Sequence, residues 1–248
     1  MAGHSKFANI QHLKGGQDKK RAQAFTKIAR EIQAAVKLGG SDPNSNPRLF
    51  RAMAAGRAIN MPKDNIQRAV DKGGGAGAEN LDEIRYEGFG PGGVGIIVEC
   101  LSDNRNRTAG DVRAAFAKNG GNLGETNSVS FAWKRLGEVR YPAAGASEDA
   151  MMEAAIDAGA DDCVVEGEQH VVTCEMSALV GVSQALAKKF GDPASAKFVW
   201  RTDIAIPIEG EPAELLMKLI DQLDDLDDVQ DVYSNEDISD EEMARLSA

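Results

Sequence analysis

The chain has little of what redox, metal and acid–base chemistry usually need. Only three of its 248 residues are histidine and three are cysteine. Cys100, Cys163 and Cys174 cannot all pair, none stands in a CxxC, and none lies near clustered histidines, so neither a disulfide framework nor a metal site is expected. Each sits in an apolar, β-branched stretch (IIVECL, DDCVVE, VVTCEM), where a thiol behaves as a small buried hydrophobe. His4 and His12 fall in a basic N-terminal segment and His170 opens a predicted strand, with no serine elbow or HExxH around them. No apolar run approaches the ~18 residues that would span a bilayer, so no membrane partner is expected. The opening MAGHSKFANIQHLKGG is polar and basic, without the apolar core of a secretion signal, and a cytoplasmic location is the expectation. No cofactor is expected, no catalytic residue can be nominated, and the chain reads as a non-enzyme.

Two motifs that could suggest ligands fail on context. Gly88-Phe89-Gly90-Pro91-Gly92-Gly93 matches GxGxxG formally, but a dinucleotide fingerprint follows a strand and opens a helix, whereas these glycines precede a strand. Pro91 also removes an amide and no P-loop lysine follows, so a turn entering a sheet is the better reading. The acids Asp221, Asp224, Asp225, Asp227, Asp228 and Asp231 lack the spacing of a calcium loop. Asp221, Asp224 and Asp225 are expected on the solvated face of a helix whose other face is Leu215, Leu216, Leu219 and Leu223.

What is present is a strong division of charge. The net charge of −11 hides 14 Lys+Arg against 5 Asp+Glu in residues 1–72, a net of +9. The remainder carries 28 − 14 = 14 bases and 39 − 5 = 34 acids, a net of −20. A basic end on an acidic protein attracts polyanions through phosphate neutralisation and counterion release. The candidate contacts are Lys6, Lys14, Lys19, Lys20, Arg21, Lys27, Arg30 and Lys37. A second polar loop, Asp103-Asn104-Arg105-Asn106-Arg107-Thr108, reads by spacing alone as a helix cap with two exposed arginines.

The length suits two or three domains of the usual ~100–150 residues. Residues 17–38 predict one long helix, with Phe25, Ile28, Ile32 and Val36 inward, Lys20, Lys27, Arg30 and Lys37 on the opposite face, and Gly39-Gly40 as the stop. A helix near 46–59 (Leu49, Met53 and Ile59 inward) and one starting at Pro62 (Ile66 and Val70 inward) complete a three-helix unit, closed by a flexible linker at Gly73–Gly77. From Val94 strands alternate with helices. Strands are predicted at 94–101, 128–135, 137–141, DCVVEG, HVVTCEM, AKFVWRTD, IAIPIE and DVQDVYS, with helices at 108–119, 147–159, 177–190 and 211–226 and a short tail helix. Residues 137–203 give β-α-β-β-α-β, and the flanking pieces are read as a second copy with the first inserted in it. The expected fold is α+β: an N-terminal three-helix domain (1–78) and two ferredoxin-like βαββαβ domains, one discontinuous (79–135 plus 204–248) and one inserted (136–203).

Six words place the chain beside a known family: AGHSKFANIQHLK (2–14), FTKIAREI (25–32), NMPKDNIQRAV (60–70), YEGFGPGGVGIIVE (86–99), LSDNRNRTAGDVR (101–113) and GGNLG (120–124). In this order they resemble the YebC/PmpR proteins, which include the mitochondrial translational activator of cytochrome oxidase subunit one. Phe7 departs from the family's usual tryptophan while keeping an aromatic ring. The resemblance covers mainly the first half of the chain. It implies three domains and nucleic-acid binding without catalysis, either as a DNA-binding transcriptional regulator or as a ribosome-associated factor that relieves stalled translation. It also puts the N-terminal lysines and Arg105 and Arg107 in shared motifs, which raises that loop to a candidate contact. The expected partner is DNA, with ribosomal RNA as the alternative, for a monomer or weak homo-oligomer.

Overall fold

A computed structural model describes residues 17–75 and 78–247. Lys6 and Lys14 lie outside these residues, as does the side chain of Lys19. Three helices come first: α1 (Gln17–Gly39), α2 (Pro47–Ala58) and α3 (Lys63–Gly74). Asn46 sets the corner between the first two. Its side-chain oxygen accepts from the Leu49 amide at 3.1 Å, and its amide donates to the Ala35 and Gly40 carbonyls at 2.8 Å each, satisfying groups that helix ends leave open. Pro62 leads into α3 as expected, and Ile32, Val36, Leu49, Ile66 and Val70 form the core that the helical spacing predicted.

The chain continues through β1 (Asp82–Phe89), β2 (Gly95–Ser102), α4 (Arg105–Lys118), β3 (Asn122–Leu123), β4 (Lys134–Pro142), α5 (Glu148–Asp157), β5 (Asp162–Glu166) and β6 (Gln169–Cys174). It ends with α6 (Leu179–Phe190), β7 (Ser195–Arg201), β8 (Ile206–Pro207), α7 (Gly210–Asp224), β9 (Val229–Ser234), β10 (Glu236–Asp237) and α8 (Asp240–Ser247). The class is α+β. Two compact units result: one of the described residues up to Trp133 with those from Thr202 onward, the other Lys134–Arg201.

The inserted unit has the expected βαββαβ order, with an antiparallel sheet β5-β6-β4-β7. Val139, Val172, Leu179, Val182 and Leu186 fill its core. Fully buried Glu138 accepts from Arg140 and Arg201 at 2.6 Å each, and Arg201 also reaches Glu166 at 2.8 Å, so two cations and two anions balance within the fold. His170 is buried with its ring bonded to the Ala146 carbonyl at 2.9 Å.

In the other unit the sheet runs β3-β1-β2-β9, antiparallel throughout, and a separate parallel ladder joins β8 to β10. Ile96 and Val98 of β2 pack with Val112 and Phe116 of α4 and Leu216, Leu219 and Leu223 of α7. This arrangement departs from the predicted second copy in three places. β1 was not foreseen, because its acids mask the alternation of Ile84, Tyr86 and Gly88 and because Glu87 points inward, accepting from the Val129 and Ser130 amides. Residues 128–133 form a turn rather than a strand, and IAIPIE contributes only the two residues of β8. Residues 90–93 (Gly-Pro-Gly-Gly) form the turn between β1 and β2, with Gly92 and Gly93 at φ of 72° and 79°.

The predicted linker also begins late. Helix α3 runs through Gly73, which packs so closely on α1 that an added Cβ would meet the Gln33 carbonyl oxygen at 2.8 Å and its Cα at 2.9 Å. Gly73→Ala is expected to cost about 2 kcal/mol through overpacking against backbone, read as a lower thermal midpoint. At Gly74 an added Cβ would meet only Val36 Cγ1, at an ordinary contact distance of 3.6 Å, so Gly74→Ala should leave that midpoint within a degree or so of the parent, roughly the effect of a tolerated helix substitution.

Candidate nucleic-acid interface

Residues 20, 23, 27 and 30 recur at helical spacing and therefore share one face of α1. Lys27 and Arg30 on this face are part-buried and meet acids. Opposite it lie the acids at the end of α7 and just beyond. Lys27 Nζ is 2.6 Å from Asp224 Oδ1, Gln23 donates to Asp225 Oδ1 at 3.2 Å, and Arg30 pairs with Asp228. Burial raises the Asp221 carboxyl while the charge of Lys20 opposes that rise. The row Asp221, Asp224 and Asp225 is thus a counterface for α1 rather than a purely solubilising surface. Across this approach the side chains of opposite charge answer each other.

The remaining nominees are more open. Arg21 is exposed, lies over the Phe25 ring with its guanidinium carbon 5.4 Å from the centroid, and donates to the Asn60 carbonyl at 3.4 Å. Exposed Lys37 donates to Asn80 Oδ1 at 2.8 Å. Arg105 is exposed and pairs with no carboxylate among the described residues, and Tyr86 donates to its carbonyl. The loop before α4 is the helix cap read from spacing, with the Asn104 side chain accepting from the Arg107 amide at 3.1 Å. Only one of its two arginines is unpaired by acids: Arg107 reaches Asp103 at 2.7 Å and Asp228 at 2.8 Å. Spacing did not single out Arg57, Lys63 and Arg68, which are exposed and likewise pair with no carboxylate among the described residues. Lys63 and Arg68 stand in the word NMPKDNIQRAV, where their chemistry was available to be noticed.

Asp228 joins these elements. It is 5% exposed, and its carboxylate accepts from Arg30, Arg107, Ser102 (3.2 Å) and Thr108 (2.6 Å). Arg30 also donates to the Leu101 carbonyl at 2.9 Å, and the Asp228 carbonyl accepts from the Leu101 amide at 2.8 Å. Burial alone would push the Asp228 carboxyl up. The bonds from Thr108 and Arg107 and the charge of Arg30 outweigh it and hold the group below its usual 3.8. Burial also pushes the thiols of Cys100 and Cys174 up, to about 12 and about 11, which suits their reading as buried, unreactive hydrophobes. A carboxyl depressed in the folded state adds stability that is complete above its unfolded value, near ~3.9, and is lost as pH falls through the folded value. Asp228→Asn is therefore expected to cost about 3 kcal/mol at neutral pH by leaving part-buried Arg30 without its counter-charge. In thermal unfolding followed against pH, its deficit from the parent should shrink below pH ~4.

Residues 5–76 match the family described as TACO1/YebC protein N-terminal domain, and residues 81–236 match TACO1/YebC second and third domain. A probable transcriptional regulatory protein of Maricaulis maris is 53% identical over 252 residues, covering 99% of this chain and 100% of that one. Another, from Hyphomonas neptunium, is 54% identical over 250 residues and covers 100% and 99%. The crystal structure of a conserved hypothetical protein from Aquifex aeolicus superposes with a TM-score of 0.88 at 39% identity, over 95% of this chain and 98% of that one. Matched along both stretches, and more than half identical to relatives over nearly their whole length, the chain belongs to the TACO1/YebC family.

Proposed function

We propose that this protein is a non-enzymatic, cytoplasmic regulator of transcription that binds duplex DNA through its N-terminal helical region. The observation that carries the reading is the net +9 of residues 1–72 in a chain of net −11. The names of the relatives agree with it. Phosphate contacts set the position of such a protein, and few contacts to base edges leave it weakly sequence-specific.

The contact set proposed is Lys6, Lys14, Lys19, Arg21 and Lys37, with Arg105 on the second loop and with Lys20, which faces Asp221, contributing at reduced strength. Lys27, Arg30 and Arg107 take a different part, because their charges are answered by Asp224 and Asp228. They hold α1 and the 103–107 loop in place. The acids of α7 then act as a competitor for α1, so that only cations outside the paired row are offered to phosphate at full strength.

The test is the salt dependence of binding to labelled duplex DNA, followed by fluorescence anisotropy. Neutralising Arg21, Lys37 and Arg105 together is expected to weaken binding to all sequences and to flatten the log–log salt slope by roughly one for each lost phosphate contact. Neutralising Lys27 and Arg30 should instead lower the thermal midpoint and leave that slope within error. Equal slopes for parent and the first triple variant would sink the proposed contact set. A competing folded ribosomal RNA that displaces the duplex at equal concentration would turn the same surface toward the ribosome.

A further inference from the structure

Helices α2 and α3 meet in a corner of four residues, Ile59-Asn60-Met61-Pro62. Asn60 takes a left-handed backbone at φ 57°, a conformation asparagine tolerates better than most residues. Buried Met61 follows, its amide donating to the Gly56 carbonyl at 2.9 Å. Gly56, four residues before Asn60, lies where the helices come together: an added Cβ would meet Met61 Sδ, Ile66 Cδ1 and, from α1, Ile28 Cγ2, each at 3.4 Å. A small residue at the crossing, a left-handed corner and apolar residues on either side of it are the parts from which a helix-turn-helix is built. Ile66, Ala69, Val70 and Gly73 bury one side of α3. Its other side is thereby held outward, with Lys63, Asp64, Gln67, Arg68 and Asp71 exposed at helical spacing.

We infer that α3 is a recognition helix, placed in the major groove of duplex DNA with Gln67 and Arg68 on base edges and Arg57 and Lys63 on flanking phosphates. The inference rests on the duplex-binding reading above and adds to it the element that reads sequence. Twelve residues make α3 about 18 Å long, and a major groove ~12 Å wide admits an α-helix. In this motif the second helix enters the groove by its first turns while the first crosses the backbone. Arg57, in the last turn of α2, and Lys63, the first residue of α3, flank the corner, and Arg21 joins them through the Asn60 carbonyl. An arginine fork matches guanine O6 and N7, and a glutamine amide matches adenine N6 and N7, so the two neighbours carry the patterns that tell one purine from the other. Their own contacts are exposed and lie within one helix: Gln67 donates to Asp71 Oδ1 at 2.8 Å, and Arg68 to the Asp64 carbonyl at 3.2 Å and the Asn65 side chain. A base edge replaces such bonds at little cost. Asp64 and Asp71 oppose phosphate but suit the groove floor, where a carboxylate accepts from the cytosine amino group. The deep, narrow major groove of an RNA duplex is closed to such reading, so the fit is to DNA.

The test is selection of a preferred site by the full chain from a duplex pool of random sequence, followed by anisotropy on that duplex and on a scrambled one. The parent is expected to enrich a site. Arg68→Gln and Gln67→Ala should each weaken the preferred duplex roughly tenfold, the loss of one bidentate base contact, and leave the scrambled duplex within about twofold. Arg68→Lys, which keeps the charge but not the fork, should lose as much on the preferred duplex, separating base reading from charge. Arg57→Gln should weaken both duplexes alike and flatten the salt slope by roughly one. All of these side chains are exposed, so thermal midpoints should stay at the parent value. A parent that binds duplex yet enriches no sequence overturns the recognition helix and leaves the duplex reading standing. Losses at Gln67 and Arg68 that are absent, or equal on the two duplexes, overturn it in the same way, since α3 would then touch no base. A parent that binds no duplex overturns the nucleic-acid reading itself, and the recognition helix with it.

Discussion

A carboxylate taken out of water must find donors for its lone pairs or lose its charge. Asp228 meets that demand with two arginines and two hydroxyls, drawn from α1, from the end of β2 and from the first turn of α4. Because those groups come from segments far apart in the chain, one ionised side chain fixes where the basic helix lies, how the 103–107 loop is held and where the chain re-enters the sheet at β9. The cations around it cannot move freely without exposing a buried charge. Arg30 and Arg107 are therefore architectural first, whatever else the surface does.

That constraint changes how the charge of the molecule is to be read. A net of +9 over the first 72 residues describes composition, but a polyanion meets only those cations that are not already neutralised in place. The row on α1 faces the acid row of α7, and the two partly cancel. The cations left exposed lie elsewhere on the helices: Arg21 over Phe25, Lys37, and Arg57, Lys63 and Arg68. The helical unit thus has two sides of different character, one locked to the sheet by ion pairs and one carrying open cations.

Much of the architecture was legible from local pattern. The 3.6-residue recurrence of Phe25, Ile28, Ile32 and Val36, the stop at Gly39-Gly40 and the favourable Pro62 located three helices, since these signals act within a few residues of each other. The order of elements from 137 to 203 located the inserted βαββαβ unit. Patterns carried by long-range neighbours were not legible. Acid-rich β1 escaped because the donors that allow Glu87 to point inward sit some forty residues away, at Val129 and Ser130. Gly73 read as a linker because the close approach of α1 that requires a glycine there is a fact of packing.

The sequence by itself determined the helical unit, the α+β class, the family words and the concentration of positive charge at one end, all of which follow from neighbours along the chain or from simple counting. Only the tertiary structure decided which of those charges are spent internally. An ion pair such as Lys27 with Asp224 or Arg30 with Asp228 joins residues nearly two hundred positions apart, and Coulomb energy depends on distance in space and on burial rather than on spacing in sequence.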